Sequence, residues 1–318
     1  LGFGSRAAKL QIAAVQTRGA ETFKDSRYER GTTGGPVRLD AAGNPVAFEA
    51  IATGEGPNGR LYGQQAGQAD RSAVEGLSGK VYAIPATRIA HSLVPGPTSI
   101  GYWRSVGHSV NDFIYEAFLH EIAEAGGKDP FDLRASLLAD SPRHLALLQA
   151  VADLSGGWQR GPYAAPDGSN RARGGAMASP FGSEVATIAE VSLQGGSVVV
   201  HDIWVAMDPG SIVNPAIIEA QVTSAVALDL SQTLVEGQVY MDGQPVARNY
   251  DSYAILTPDL MPNVHVRIIE SGAAMGGIGE PGLPGVAPAV VNVVAALTGQ
   301  RIRSLPLSRA GTLEDRQG

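Results

Sequence analysis

Hydrophobic and polar positions change period several times along the 318 residues. Residues 37–39 and 46–52 alternate on either side of Asp40, Gly43 and Asn44, the pattern of a β-hairpin. Residues 81–84 and 88–94 read as further strands. Phe113, Ile114, Ala117, Phe118 and Ile122 then recur at helical spacing, and Gly126 and Gly127 end that helix. Asp129 and Pro130 open a second helix, running through Leu138. Ser141 and Pro142 open a third, to about Leu154, with serine as cap and proline at the first helical position.

The pattern restarts with two strands, residues 185–193 and 198–207, turned by Gly195 and Gly196. Asn214 and Pro215 start a helix to about Leu234. Residues 238–241 and 246–250 read as a hairpin around Asp242 and Gly243, and 264–269 as a strand. A last helix runs from about Ala287 to Leu297 and is closed by Gly299. Residues 7–17 read as a short helix, and the polar, glycine-rich 54–80 as a long loop. Residues 156–175 collect Gly, Pro, Ser and Asn and mark a boundary between a first part, 1–160, and a second, 170–318. The mixture predicts an α+β fold, with mixed and antiparallel sheets packed with amphipathic helices.

Composition narrows the function. Charged residues are 17% against 44% hydrophobic, a low charge that fits a surface partly covered by another chain or by a missing segment. A net charge of −7 offers no basic face for phosphates and argues against nucleic acid as a partner. The absence of cysteine excludes disulfides, thiolate catalysis and iron–sulfur ligation within these residues. No run approaches the roughly 18 apolar residues of a membrane span. The start at Leu1 reads as a fragment or processed product.

Several motifs are weak. Gly54/Gly56/Gly59 and Gly277/Gly279/Gly282 match G-x-G-x-x-G, which needs a helix starting inside it to bind a dinucleotide. A poor helix sequence follows the first, and Pro284 and Pro288 delay the helix after the second. A nicotinamide-dependent enzyme is the rival these matches allow. Glu116 and His120 stand four apart and read as a surface pair, not a metal site.

Two constellations carry more chemistry. Glu280 sits between Gly279 and Pro281, with five glycines within seven residues of it. Glycine permits close approach of a ligand, and proline confines the glutamate's backbone to extended geometry. That suits a carboxylate held for base chemistry. It suits equally a glutamate in an exposed turn before a helix N-terminus. Tyr102, Trp103 and Arg104 precede the first long helix and could line a substrate slot and hold an anion; a helix-entry loop with Trp103 in the core is the alternative.

Taken together, these residues resemble the molybdenum-binding large subunit of the xanthine oxidase family, in its C-terminal part. The branch most similar is the isoquinoline 1-oxidoreductase beta subunit, with the bacterial molybdenum aldehyde dehydrogenases. The resemblance rests on Gly2-Phe3-Gly4, on Trp103-Arg104-Ser105-Val106-Gly107, on Asp208 to Pro215 with Gln221, and on Gly277 to Gly282 with Asn292. It implies a molybdopterin-binding-domain-like fold. It implies Glu280 as catalytic base, taking a proton from the metal's hydroxide. Gly2, Phe3, Gly4, Arg104, Gln221 and Gly279 would lie at the cofactor, and Trp103 and Tyr102 at the substrate. The cofactor implied is molybdopterin with molybdenum, in the cytosine dinucleotide form, the metal being held through the pterin rather than by side chains. Further implications are hydroxylation of an aldehyde or N-heteroaromatic ring, an N-terminal half of the subunit outside this chain, and [2Fe–2S] clusters on a small subunit. A cytochrome c subunit and a periplasmic or membrane-associated setting, with a cytoplasmic one as alternative, complete the expectation. The sequence departs from the family at Leu1 and at Val222, which keeps a non-catalytic scaffold subunit as a second rival.

Overall fold

Asp40 closes the first hairpin. Its carboxylate accepts the backbone N–H groups of Ala42 and Asn44, and Gly43 takes a φ of +79°. The strands it joins are β4 (Pro36–Leu39) and β5 (Pro45–Glu55), as the alternation predicts. The computed structural model describes residues 10–11, 15–16, 30–34, 36–63, 67–94, 100–241, 244–309 and 313.

β5 is the spine of a six-stranded sheet. β4 and β3 (Arg30–Gly34) pair with it antiparallel, and β6 (Ala86–Leu93) parallel. The remaining strands are β1 (Leu10–Gln11) and β2 (Val15–Gln16). They fall inside 7–17, so the described part of that stretch is extended rather than helical. The expected long loop 54–80 contains two short helices, α1 (Pro57–Tyr62) and α2 (Arg71–Val74). Residues 81–84 form no strand. Tyr82 and Ile84 are buried and fill the core, and Ala83 N–H bonds Leu137 O at 2.9 Å instead of a ladder partner.

α3 (Val106–Ala125) follows, then α4 (Pro130–Leu137), capped by Asp129, and α5 (Pro142–Leu154). Ser141 makes no side-chain cap there. α3 is buried on nearly every side, as a central helix must be. The Glu116–His120 pair is therefore not a surface pair. Glu116 is fully buried and paired with Arg134 on α4, at 2.9 Å. His120 is buried against Glu124, and burial lowers its pKa to about 4.

The second sheet runs β13-β10-β9-β8-β7. Its members are β7 (Tyr163–Ala164), β8 (Asn170–Ala178), β9 (Glu184–Gln194), β10 (Ser197–Asp208) and β13 (Asn263–Ile268). The β9–β10 turn uses Gly195 and Gly196, both at positive φ. α6 (Pro215–Leu234) is capped by Asn214, whose Oδ1 accepts Ala216 N–H and Ile217 N–H. The expected 238–250 hairpin shrinks to β11 (Tyr240–Met241) and β12 (Gln244–Pro245). α7 (Val286–Thr298) ends at Gly299 in the left-handed region. It packs on α3 and on β8, where a Cβ at Gly174 would lie 2.2 Å from Ala289 O. One hydrophobic core runs unbroken from Phe48 and Phe118 to Val205 and Val290. Among the described residues no helix is long and apolar enough to cross a membrane.

Candidate active site

The entry to α3 bends in an unusual way. Ser105 has φ +73° and Val106 φ +46°. The left-handed region costs an L-residue roughly 1–2 kcal/mol, and a β-branched residue is rare there. The turn aims two Ser105 groups at Glu280, 175 residues away. Ser105 N–H donates to Glu280 Oε1 at 2.9 Å, and Ser105 Oγ donates to the Glu280 carbonyl at 2.7 Å. Ser105 itself is fully buried.

Arg104 spans three segments. Its Nε donates to Gly279 O at 2.8 Å and its Nη1 to Ser224 Oγ at 3.0 Å. Nη2 donates to Gln221 Oε1 at 3.0 Å, and also bonds Gln221 O and Gly279 O. Every one of these acceptors is neutral. Burial lowers the arginine's pKa, while the Glu280 charge pulls it the other way.

The Glu280 loop is strapped down on the opposite side. Gly276 N–H bonds Pro209 O and Gly277 N–H bonds Phe181 O, both at 2.9 Å. Ser183 Oγ donates to Gly277 O at 2.6 Å. A Cβ at Gly276 would lie 2.5 Å from the Gly182 carbon, so only glycine lets the two backbones touch. Phe181, at φ +56°, is the third non-glycine residue with positive φ among those described, and all three border this loop. Asp208 anchors the strap. Burial opposes its ionised form, yet hydrogen bonds from Arg143, Gly210 and Ser271 hold its pKa below the ordinary value. Beyond the loop, Asp229 on α6 accepts Ala287 N–H at 2.7 Å and so caps α7. Burial pushes the Asp229 pKa up to about 8, against the opposing effect of that amide.

Arg104, Gln221, Gly279 and Glu280 thus stand together. Trp103 is half-buried beside them. Tyr102 turns to α1, where its hydroxyl donates to Asn58 Oδ1. Gly2, Phe3 and Gly4 lie outside the described residues. Sequence reasoning missed Ser105 as an individual contact, and with it Ser224, the Phe181–Ser183 turn and Asp229. Asp229 carried one signal, an acid set in the apolar run 225–230.

Neither glycine motif forms a dinucleotide site. α1 does begin inside the first, but its amides are taken: Asp70 Oδ2 accepts Gly59 N–H at 2.5 Å and Ser72 Oγ accepts Asn58 N–H at 3.0 Å. In the second, α7 starts only at Val286, beyond the motif. Among the described residues no group of three His, Asp or Glu could hold a metal ion.

The arrangement can border a larger ligand. A Cβ on Gly279 would meet open space among the described residues, so the loop leaves room beside Glu280. Arg104 occupies the oxygen of the Gln221 amide. The Nε2 donor of that amide has no acceptor among the described residues and is available to an acceptor from outside. These groups fit an acceptor-rich, pterin-like group held through hydrogen bonds, with a carboxylate next to it.

Residues 143–262 match a molybdopterin cofactor-binding domain. The chain is 32% identical to the isoquinoline 1-oxidoreductase subunit beta of Brevundimonas diminuta, over 74% of this chain and 30% of that protein. It is 27% identical to a membrane-bound aldehyde dehydrogenase [pyrroloquinoline-quinone] of Gluconacetobacter polyoxogenes, over 87% of this chain and 37% of that one. The chain therefore spans about a third of the length of these curated relatives. Among solved structures, the aldehyde oxidoreductase of Desulfovibrio desulfuricans ATCC 27774 superposes with a TM-score of 0.70 at 14% identity. That match covers 88% of this chain and 48% of the other. Quinoline 2-oxidoreductase of Pseudomonas putida 86 gives 0.65 at 15% identity, over 88% and 61%.

Proposed function

The chain belongs, by its molybdopterin cofactor-binding domain, to the large subunits of the xanthine oxidase family, and from that premise we propose that Glu280 is the base of a water-dependent hydroxylase. Its substrate is an aldehyde or an N-heteroaromatic ring. The observation that carries the reading is the meeting of Glu280, Arg104 and Gln221 in one site: Arg104 bonds Gln221, 117 residues on, and its neighbour Ser105 bonds Glu280, 175 residues on.

When bound, the cofactor supplies the redox chemistry, taking two electrons from the substrate carbon while water supplies the oxygen. The chain's own residues do the rest. Gln221 offers its amide donor to the cofactor's acceptors, and Gly279 leaves room for close approach. Glu280 receives the proton released as the water-derived oxygen attacks. Arg104 holds Gly279 and Gln221 in register, so that base and donor keep a fixed separation. Trp103 and Tyr102 stand on the substrate side, and the cofactor is in its cytosine dinucleotide form. The remainder of the large subunit completes the cofactor's grip. These 318 residues contain no cysteine and so ligate no iron–sulfur cluster; we place the clusters that receive the electrons on a separate subunit.

The test is Glu280→Gln in the full-length subunit with its partners, assayed on aldehydes and quinoline-type rings. Turnover on the best wild-type substrate should fall by roughly a hundredfold or more, the range of general-base catalysis, with molybdenum content unchanged. Retained turnover overturns the proposal, and a wild-type complex without molybdenum overturns the cofactor assignment.

A further inference from the structure

Glu280 is gripped at both ends by one residue. Ser105 Oγ donates to its main-chain carbonyl at 2.7 Å, and Ser105 N–H donates to Oε1 of its side chain at 2.9 Å. Oε2 carries no hydrogen bond among the described residues. We propose that Ser105 is a positioning residue for Glu280, its backbone N–H occupying Oε1 so that the proton taken in the reaction arrives on Oε2. The inference rests on Glu280 as base and names the atom that does the work.

The backbone supports a dedicated device. Ser105 and Val106 are consecutive residues in the left-handed region, at φ +73° and +46°. Strain of this kind persists only where the surroundings over-determine it, and it collects at functional sites. With an ordinary negative φ, the peptide before Ser105 would be rotated about the N–Cα bond and its N–H would no longer point at Glu280. Here the strain is offset by the two bonds to Glu280 and by the burial of Ser105.

The consequence is geometric. A glutamate side chain has three soft torsions, and a base that samples several rotamers spends little time in line with its proton donor. Holding Oε1 fixes the carboxylate plane and leaves one oxygen free. In the transfer, the donor's O–H bond breaks, its electron pair stays on the donor oxygen, and the proton bonds to Oε2. The charge of Arg104 faces Glu280, and α6 contributes the neutral Gln221 and Ser224, which Arg104 holds, and Val222 against Gly282.

Hydrogen exchange in the full-length subunit tests the contact without altering the backbone. The Ser105 amide should exchange at least tenfold faster in Glu280→Ala, which removes the acceptor. In Glu280→Gln, which keeps an oxygen there, it should stay within threefold of wild type. Equal exchange in all three overturns the proposal. A second test replaces Ser105 by its α-hydroxy acid, turning the N–H into an ester oxygen. We expect kcat to fall at least tenfold with KM within twofold, and Ser105→Gly, which keeps the N–H, to lose at least tenfold less. A Ser105→Gly loss equal to that of the ester overturns it. Exchange reads the contact whether or not Glu280 is the base. Glu280→Gln turnover reads the base whether or not Ser105 holds it.

Discussion

Asp229→Asn should stabilise the protein, and increasingly so as pH rises. Asp229 is 2% exposed and keeps one described bond to its carboxylate, from Ala287 N–H. Burial raises its pKa from 3.8 to about 8. Between those values the folded state holds a proton that the unfolded chain releases. Stability therefore falls with rising pH, by up to about 1.4 kcal/mol per unit, and levels off above about 8. Neutral pH lies about three units above the unfolded value, so the cost there is on the order of 4 kcal/mol. Asparagine is isosteric, accepts the Ala287 N–H through its oxygen, and has no charge to lose. Urea midpoints of wild type and variant between pH 4 and 9 measure the gain. The variant-minus-wild-type difference cancels other titrating groups, such as His120. It should be near zero at pH 4, grow through neutrality and flatten above about 8. A difference independent of pH would refute the reasoning, because it would place the effect in packing rather than in a buried proton.

Two other substitutions probe the frame around the site. Arg134→Met leaves Glu116 buried on α3 without its charge partner and should destabilise by about 3–5 kcal/mol in urea titration, with much of the loss recovered in the double variant with Glu116→Leu. Arg104→Lys keeps the charge but cannot reach Gly279, Ser224 and Gln221 at once. It should cost roughly 1.5–3 kcal/mol of transition-state stabilisation, read as a ten- to hundredfold fall in kcat/KM, with little change in urea midpoint.

Local chemistry alone determined much of this protein. The Asn214-Pro215 start of α6, the Gly299 stop of α7, the Asp40 turn and the Gly195-Gly196 turn lie where the residues put them, because each is satisfied by neighbours a few positions away. Glu280 was visible for the same reason: its glycine and proline neighbours constrain it directly. Other features depend on partners far along the chain. α1 holds in a glycine-rich stretch because Asp70 and Ser72 fold back to fill its amides. Glu116 and His120 have a surface pair's spacing, but α4 and α7 close over the helix that carries them, and Arg134 supplies the charge that makes burial tolerable. Nothing in the side chains of Ser105, Val106 or Phe181 favours a positive φ; long-range bonds hold Ser105 and Phe181 there. Sequence could therefore nominate Glu280, Arg104 and Gln221 separately. Only tertiary structure brought them within hydrogen-bond reach and gave Glu280 a held oxygen and a free one. That pairing is made between segments 175 residues apart, and no local preference encodes it.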